Sequence, residues 1–131
     1  MQGFDNETLW ARYSSFAIGD NSESYALNVL GNYTGNAGDS LEYHAGQKFT
    51  TNDVDNDMNE DNNCAKTSVG GWWYKDCYER YDNIVLINKN PTSSRIIWKT
   101  WHQYSPLKYV HMAIRPLNFR KERCGVQCPK L

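Results

Sequence analysis

Apolar residues alternate with small or polar ones along two stretches near the N-terminus, Trp10–Ile18 and Tyr25–Val29. A period of two residues is typical of a strand that buries one face. Gly19, Asp20 and Asn21 lie between the two stretches and favour a turn. We therefore predict two neighbouring antiparallel strands in this part of the chain.

A turn and a short helix are predicted after these strands. Residues 31–38 are rich in Gly and Asn, which favour turns. Asp39 is followed three residues later by Glu42, the spacing of a capping box at the start of a helix. We predict a helix of about two turns that begins there and ends near Gly46.

A long segment without hydrophobic periodicity follows, over residues 50–71, where Asn, Asp and Gly dominate. A metal ion or a disulfide is needed to fix such a backbone. Beyond it, three stretches have strand patterns: 84–87, 95–101 and 110–114. Together these elements predict an α+β fold, with a twisted antiparallel sheet, short helices and a long loop-rich subdomain.

The size and charge of the chain limit its function. Its 131 residues suffice for one domain. Fourteen basic residues against fifteen acidic ones give a net charge of -1, so no overall field attracts nucleic acid or an anionic membrane. The apolar stretches are too short to span a bilayer. We expect no nucleic-acid partner and no membrane span.

Cysteines and glycosylation sequons indicate an oxidising compartment. The four cysteines are Cys64, Cys77, Cys124 and Cys128. Acceptor sequons for N-linked glycans begin at Asn6 and Asn32. We therefore predict a secreted, extracellular glycoprotein. Because no apolar signal segment follows Met1, we expect the chain to begin inside a longer polypeptide.

Residues 53–63, called the acidic loop below, contain five acidic residues and four asparagines. Hard cations such as Ca²⁺ bind carboxylate and carbonyl oxygens in flexible loops of this kind. The alternate residues that can converge on one ion are Asp55, Asp57, Asn59 and Asp61. An EF-hand is excluded, because Met58 stands where that motif needs glycine and Cys64 where it needs glutamate. A solvated loop without an ion remains the alternative.

The residues that carry most enzymatic chemistry do not form a catalytic pattern. His44, His102 and His111 are scattered and lack a matching nucleophile or third metal ligand. The paired carboxylates lie in a hydrated loop, where no apolar pocket separates their pKa values. We predict that the chain is not an enzyme. Trp72 and Trp73 are assigned to the core of a chain that is poor in aliphatic residues.

Several motifs occur together in a characteristic order. They are Ala37-Gly38-Asp39-Ser40-Leu41, His44, Asp55-Asn56-Asp57, Asn63-Cys64-Ala65, Gly70-Gly71-Trp72-Trp73-Tyr74, Cys77, Trp98 and Met112-Ala113-Ile114-Arg115-Pro116. In this order and spacing they resemble the fibrinogen C-terminal domain, over about Trp10 to Pro116.

The resemblance implies a disulfide and a calcium site. The disulfide joins Cys64 to Cys77. The cofactor is Ca²⁺, held by the side chains of Asp55 and Asp57 and by the backbone carbonyls of Asn59 and Asp61. This chain has one residue more between Asp57 and Cys64 than the family usually has.

The resemblance also implies a ligand surface beside the ion, formed by Asn63, Cys64, Tyr78 and Glu79. Members of the family bind acetylated sugars, peptide knobs or receptors. Tyr78 and Glu79 replace the histidine and the small residue usual there. The scaffold is thus retained, while the residues that would contact the ligand differ from those of the family.

The resulting expectation is a secreted calcium-binding recognition module of the lectin-like or innate-immune type, which binds glycans or acetylated ligands. Two alternatives stay open. The chain is a structural or receptor-binding fibrinogen-related protein that acts by protein–protein contact, or a truncated gene product without independent function.

The predicted organisation follows the resemblance. Residues 1–116 form a partial domain, with a central sheet from 8–50 and 95–116 and calcium and ligand loops over 50–94. The family's N-terminal subdomain is absent. Residues 117–131 form an extension whose Cys124 and Cys128 pair with each other or link chains into an oligomer.

Overall fold

The computed structural model describes residues 1–68, 70–77, 84–87, 95–102 and 106–116. The fold is α+β, with antiparallel strands and a few short helices, which confirms the predicted class. In these ranges no helix has the length and apolar character to cross a membrane.

The elements of the described residues are short. The strands are β1 (Gln2–Gly3), β2 (Ala11–Tyr13), β3 (Phe16–Ala17), β4 (Val29–Leu30), β5 (Tyr33–Gly35), β6 (Ile84–Ile87), β7 (Arg95–Trp98) and β8 (Pro106–Tyr109). The helices are α1 (Cys64–Ser68) and α2 (Lys99–His102), with 3₁₀ turns at Asn21–Glu23 and Glu42–His44.

Four strands form one antiparallel sheet in the order β1-β8-β7-β6. The strand predicted over 84–87 is present as β6. The strand predicted over 95–101 begins where expected but ends at Trp98, because the chain turns there into α2. Ile97 and Trp98 of β7 and Leu107 of β8 bury their side chains in the core.

The segment 8–50 adds two separate ribbons and not further strands of that sheet. β2 pairs with β5, and β3 pairs with β4, both antiparallel. The predicted strand Trp10–Ile18 is interrupted at Ser14 and Ser15, which bond to the backbone of Asn32 and Gly31. The turn predicted over 31–38 is wrong where β5 forms, because pairing with β2 overrides the local preference for a turn.

The predicted strand Tyr25–Val29 is also shorter than expected. Ser24 and Tyr25 adopt left-handed backbone conformations, with φ of 53° and 52°. This conformation reverses the chain and prevents an extended Tyr25. The strand therefore forms only at Val29–Leu30, where β3 supplies its partner.

The helix predicted after Asp39 is a single 3₁₀ turn. Asp39 Oδ1 accepts hydrogen bonds from the amides of Leu41 (3.2 Å) and Glu42 (3.1 Å), so it caps the turn as predicted. The helix does not continue to Gly46, because Ala45 is extended and Gly46 has a φ of +78°.

The C-terminal strand lies earlier than predicted. β8 ends at Tyr109, and residues 110–116, where alternation predicted a strand, are irregular. The neighbouring strands β1 and β7 pair only with residues of β8. The alternating residues of 110–114 therefore have no partner strand among the described residues. Met112 is 53% and Ile114 80% exposed.

Among the described residues the core has two clusters, and both contain aromatic residues. The larger one is formed by Leu9, Leu27, Ala37, Leu41, Trp98 and Leu107. The smaller one consists of Cys64, Ala65 and Tyr74, so α1, which the aperiodic sequence did not predict, packs here. Trp72 packs against both clusters. Trp73 packs against the larger one, and its Nε1 donates to the carbonyl of Tyr25 (2.8 Å).

Candidate functional site

The acidic loop folds as a series of turns in which short polar side chains accept from the backbone two residues ahead. Asp55 Oδ1 faces the amide of Asp57 (3.4 Å), and Asp57 Oδ1 accepts from the amide of Asn59 (3.0 Å). Asn59 Oδ1 continues the series with the amides of Asp61 (3.1 Å) and Asn62 (2.8 Å). Asp and Asn favour such turns. The structure thus places the four predicted metal-site residues in consecutive turns.

Asp57 lies at the centre of this arrangement. Its second oxygen, Oδ2, accepts from the amide of Cys64 (2.9 Å) at the start of α1. Partial burial raises the pKa of Asp57 above its ordinary value, and the neighbouring Asp55 raises it further, although the amides of Cys64 and Asn59 oppose the shift. The Asp55 and Asp57 carboxylates therefore lie close enough to repel each other.

The loop is tied to the segment that precedes Cys77. The amide of Met58 donates to the carbonyl of Lys75 (2.8 Å), and Asn59 Nδ2 donates to Asp76 Oδ1 (2.9 Å). Asp76 was not among the predicted site residues. Its position next to a cysteine was the only signal that placed it near the loop.

Asn56 is a second residue whose role was missed. Its Nδ2 donates to the carbonyl of Phe49 (2.8 Å), and its amide donates to Thr50 Oγ1 (3.1 Å). Thr50 is fully buried and its backbone pairs with Trp72. Asn56 thus anchors the loop to the core between Asp55 and Asp57.

The structure contains the disulfide that the resemblance implies, between Cys64 and Cys77, with Cα atoms 5.2 Å apart. Cys64 is fully buried beside Ala65 and Tyr74. Tyr74 donates its hydroxyl to the carbonyl of Gly70 (2.9 Å). The disulfide therefore joins the start of α1 to the segment that the acidic loop contacts.

An open depression of about 320 Å³ lies next to these residues. Its lining consists of Asp55, Glu60, Asp61, Asn62, Asn63, Lys66 and Thr67. Asn63, a predicted ligand residue, donates from Nδ2 to the carbonyl of Thr51 (2.9 Å) and accepts from the amide of Lys66 (2.9 Å). Both Nδ2 and Oδ1 of Asn63 therefore have a hydrogen-bond partner within the chain. The predicted ligand residues Tyr78 and Glu79 lie outside the described residues.

A cation at the acidic loop would depend mainly on the carboxylates of Asp55 and Asp57. Among the described residues, no group of three or more His, Cys, Asp or Glu side chains converges where it could hold a metal ion. Calcium needs no such set, because backbone carbonyls and asparagine oxygens complete its shell beside carboxylates. A calcium ion at Asp55 and Asp57 would therefore need backbone carbonyls or asparagine oxygens as its further ligands.

The histidines and the glycosylation sequons lie outside the acidic loop. His44 is fully buried, and its Nδ1 lies 2.8 Å from the carbonyl of Trp73. His111 is exposed, and the side chain of His102 lies outside the described residues. Asn6 and Asn32, the predicted glycan acceptors, are both exposed.

Comparison with known proteins gives consistent matches. The model of the family described as fibrinogen beta and gamma chains, C-terminal globular domain, matches residues 1–117. Fibrinogen C domain-containing protein 1-B of Xenopus laevis is 42% identical over 88% of this chain, and Techylectin-5A of Tachypleus tridentatus is 40% identical over 88%. This chain spans 27% of the first protein and 40% of the second.

A solved structure matches at the level of the fold as well. The fibrinogen-like globe domain of human ANGPTL2 superposes with a TM-score of 0.66 at 37% identity. The match covers 82% of this chain and 51% of that domain. The chain therefore spans about half of that globe domain.

Proposed function

Because this chain belongs to the family of fibrinogen C-terminal globular domains, we propose that it is an extracellular recognition module whose ligand surface is organised by a calcium ion. The module binds and does not catalyse. Asp55 and Asp57 supply the carboxylates, and the backbone carbonyls of Asn59 and Asp61 supply further oxygen ligands.

One observation supports this proposal above all, the double role of the Asp57 carboxylate. One oxygen belongs to the turns of the acidic loop, and the other holds the amide of Cys64. A cation bound to Asp57 and Asp55 offsets the repulsion between the two carboxylates. It also fixes the position of Cys64, and through the disulfide the position of Cys77. The ion thus orders the surface without taking part in a reaction.

The proposed ligand is a glycan or an acetylated compound. Techylectin-5A, one of the relatives, is named as a lectin. The depression beside the calcium loop is open and lined by hydroxyl, amide and charged groups, which suit the hydroxyl groups of a sugar. We place the ligand between this depression and the disulfide, near Asn63 and Cys64.

A second candidate function, recognition of a protein, has its own observation. Val54 and Met58 of the acidic loop are 51% and 64% exposed. These two side chains are available to a protein partner, and methionine is enriched at protein interfaces.

Isothermal titration with Ca²⁺ tests the ion. We expect the wild type to bind and the double variant Asp55→Ala, Asp57→Ala to give no heat beyond dilution. Asp53→Ala is the matched control, because Asp53 is an exposed acidic residue of the same loop that contacts Thr51 and lies outside the ligand set. A double variant that binds as tightly as the wild type would remove calcium from these residues.

A glycan array tests the ligand. We expect acetylated sugars to be retained in millimolar Ca²⁺ and released by EDTA, and the double variant to retain none. Binding that is indifferent to EDTA contradicts a surface organised by calcium. A wild type that binds calcium but no glycan directs the search to the second candidate, a protein ligand.

A further inference from the structure

The near-neutral net charge conceals an uneven distribution along the chain. Residues 1–82 contain five Lys and Arg against fourteen Asp and Glu, whereas residues 83–131 contain nine against one. The two parts therefore have net charges of -9 and +8. Between Asn83 and Lys121 there is no acidic residue at all. Two copies attract each other where the acidic part of one chain presents its charge to a basic surface of the other.

The described Lys and Arg side chains of the second part are Lys99 in α2 and two on an exposed stretch, residues 108–115, that we call the basic segment. Lys108, His111 and Arg115 are exposed in it. Between them lie Tyr109, Met112 and Ile114, which are 59%, 53% and 80% exposed. The stretch begins in β8 and continues beyond the end of the strand ladder. Exposed apolar side chains that lie together on a surface favour association.

The acidic loop has the complementary character. Asp53, Asp55, Glu60 and Asp61 are exposed, with exposed Val54 and Met58 among them. The loop bonds to 49–51, 64 and 75–76, whereas β8 pairs with β1 and β7. The two charged surfaces are therefore carried by different elements.

We propose that the basic segment of one copy of this chain docks onto the acidic loop of a second copy. Charge complementarity selects this partner, because two basic segments repel each other and so do two acidic loops. The contact is head to tail and leaves one surface of each kind unoccupied in a dimer. A heterologous contact of this kind extends into longer assemblies or closes into a ring.

Sedimentation velocity of the full chain in EDTA tests self-association. At about 0.02 M ionic strength we expect the weight-average sedimentation coefficient to rise with protein concentration. In about 0.5 M NaCl, where charges are screened within a few ångströms, we expect a single monomer boundary. Non-reducing SDS electrophoresis of the same samples should show monomer, which separates this contact from disulfide-linked dimers.

A pair of complementary variants tests the head-to-tail geometry. The first, Lys108→Glu with Arg115→Glu, retains only a functional acidic loop. The second, Asp53→Asn with Glu60→Lys, retains only a functional basic segment and leaves Asp55 and Asp57 intact. We expect each to be monomeric alone at low salt. An equimolar mixture should form a dimer and nothing larger, because the two surfaces needed for growth are disabled.

Matched controls keep the result interpretable. Arg12→Glu with Lys48→Glu makes the same charge change at exposed sites outside the basic segment and should associate like the wild type. Circular dichroism checks that every variant is folded. A wild type that stays monomeric at low salt overturns the proposal, as does an equimolar mixture that stays monomeric. If that monomer binds heparin, the basic segment serves a polyanion instead.

The experiment is independent of the proposed function, because EDTA removes calcium from every sample. Added Ca²⁺ links the two proposals. If the ion binds Asp55 and Asp57, it lowers the negative charge of the acidic loop and should weaken self-association. Self-association in EDTA that calcium does not alter would leave the head-to-tail contact in place and count against the ion at this loop.

Discussion

His44 shows how one buried side chain can link the core to pH. It is fully buried, its Nδ1 donates to the carbonyl of Trp73, and Nε2 has no hydrogen-bond partner among the described residues. A carbonyl only accepts, so the neutral ring carries its proton on Nδ1. Protonation of Nε2 would bury a charge without a partner, and burial therefore lowers the pKa of His44 to about 4.

This environment predicts acid sensitivity. The unfolded chain binds a proton at His44 below about pH 6.5, whereas the folded chain does so only near pH 4. Over this interval the unfolded state holds more protons, so stability falls as the pH decreases. We expect His44 to lower the free energy of unfolding by about 3 kcal/mol between neutral pH and pH 4. Urea unfolding at several pH values in EDTA measures it.

His44→Asn provides the comparison, because the asparagine amide can still donate to the carbonyl of Trp73 but does not titrate in this range. The variant should be less stable than wild type at neutral pH, since it fills less of the core. Its stability should fall less steeply with acid. Parallel curves for the two proteins would show that His44 does not cause the loss.

At the scale of elements, the disulfide sets the loop to which the proposed ion binds. Cys64 and Cys77 are 13 residues apart, so the bond closes a short loop that contains α1 and Tyr74. In the chain-entropy model such a loop restricts the unfolded state and stabilises the fold by roughly 3 kcal/mol. The same bond holds the Cys64 amide near Asp57, where it donates to Oδ2.

Removing this disulfide should therefore have two effects. We expect Cys64→Ser with Cys77→Ser to lower the free energy of unfolding by about 3 kcal/mol in EDTA, and to weaken Ca²⁺ binding at least about tenfold. Urea unfolding and calorimetric titration measure the two quantities. Cys124→Ser with Cys128→Ser is the control and should leave calcium affinity unchanged. Equal calcium affinity with and without the 64–77 bond would contradict the coupling.

Elements whose formation depends mainly on residues close in the sequence were predicted well. β6 was predicted because it is a continuous apolar run. Asp39 accepts from the amide of Glu42 in the 3₁₀ turn Glu42–His44, as its spacing from Glu42 suggested. The linked turns of Asp55, Asp57 and Asn59 were not predicted, although each side chain accepts from an amide only two residues ahead. Patterns of this kind require no knowledge of distant parts of the chain.

Elements that depend on distant partners were predicted less well. β5 was predicted as a turn and forms a strand because β2 lies beside it. The alternating residues after Val110 were predicted as a strand and are irregular, since their neighbours pair only with β8. Asp76 and Asn56 were missed for the same reason. Their contacts to Asn59 and Phe49 span 17 and 7 residues and appear only after folding.

At the scale of the whole molecule, the two core clusters of the described residues stabilise different parts of the fold. The larger cluster holds the β-ribbons against the sheet, and the smaller one holds α1 and the disulfide. Trp72 packs against both, and its backbone pairs with Thr50, whose side chain accepts from the amide of Asn56. The acidic loop thus bonds to Phe49 and Thr50 through Asn56 and to the smaller cluster through the amide of Cys64, and α1 also contacts β6 of the sheet.

This division predicts where calcium should change the protein. Ion binding at Asp55 and Asp57 should slow amide hydrogen exchange in the acidic loop, at Cys64 and along 72–77, because their hydrogen bonds are linked to these carboxylates. Exchange in β7 and β8 should not change, because those amides bond within the sheet. Mass spectrometry of peptic fragments with Ca²⁺ or EDTA measures both regions. The double variant Asp55→Ala, Asp57→Ala should show no difference between the two conditions, and equal protection of β7 in the wild type would mean that calcium stabilises the fold as a single unit.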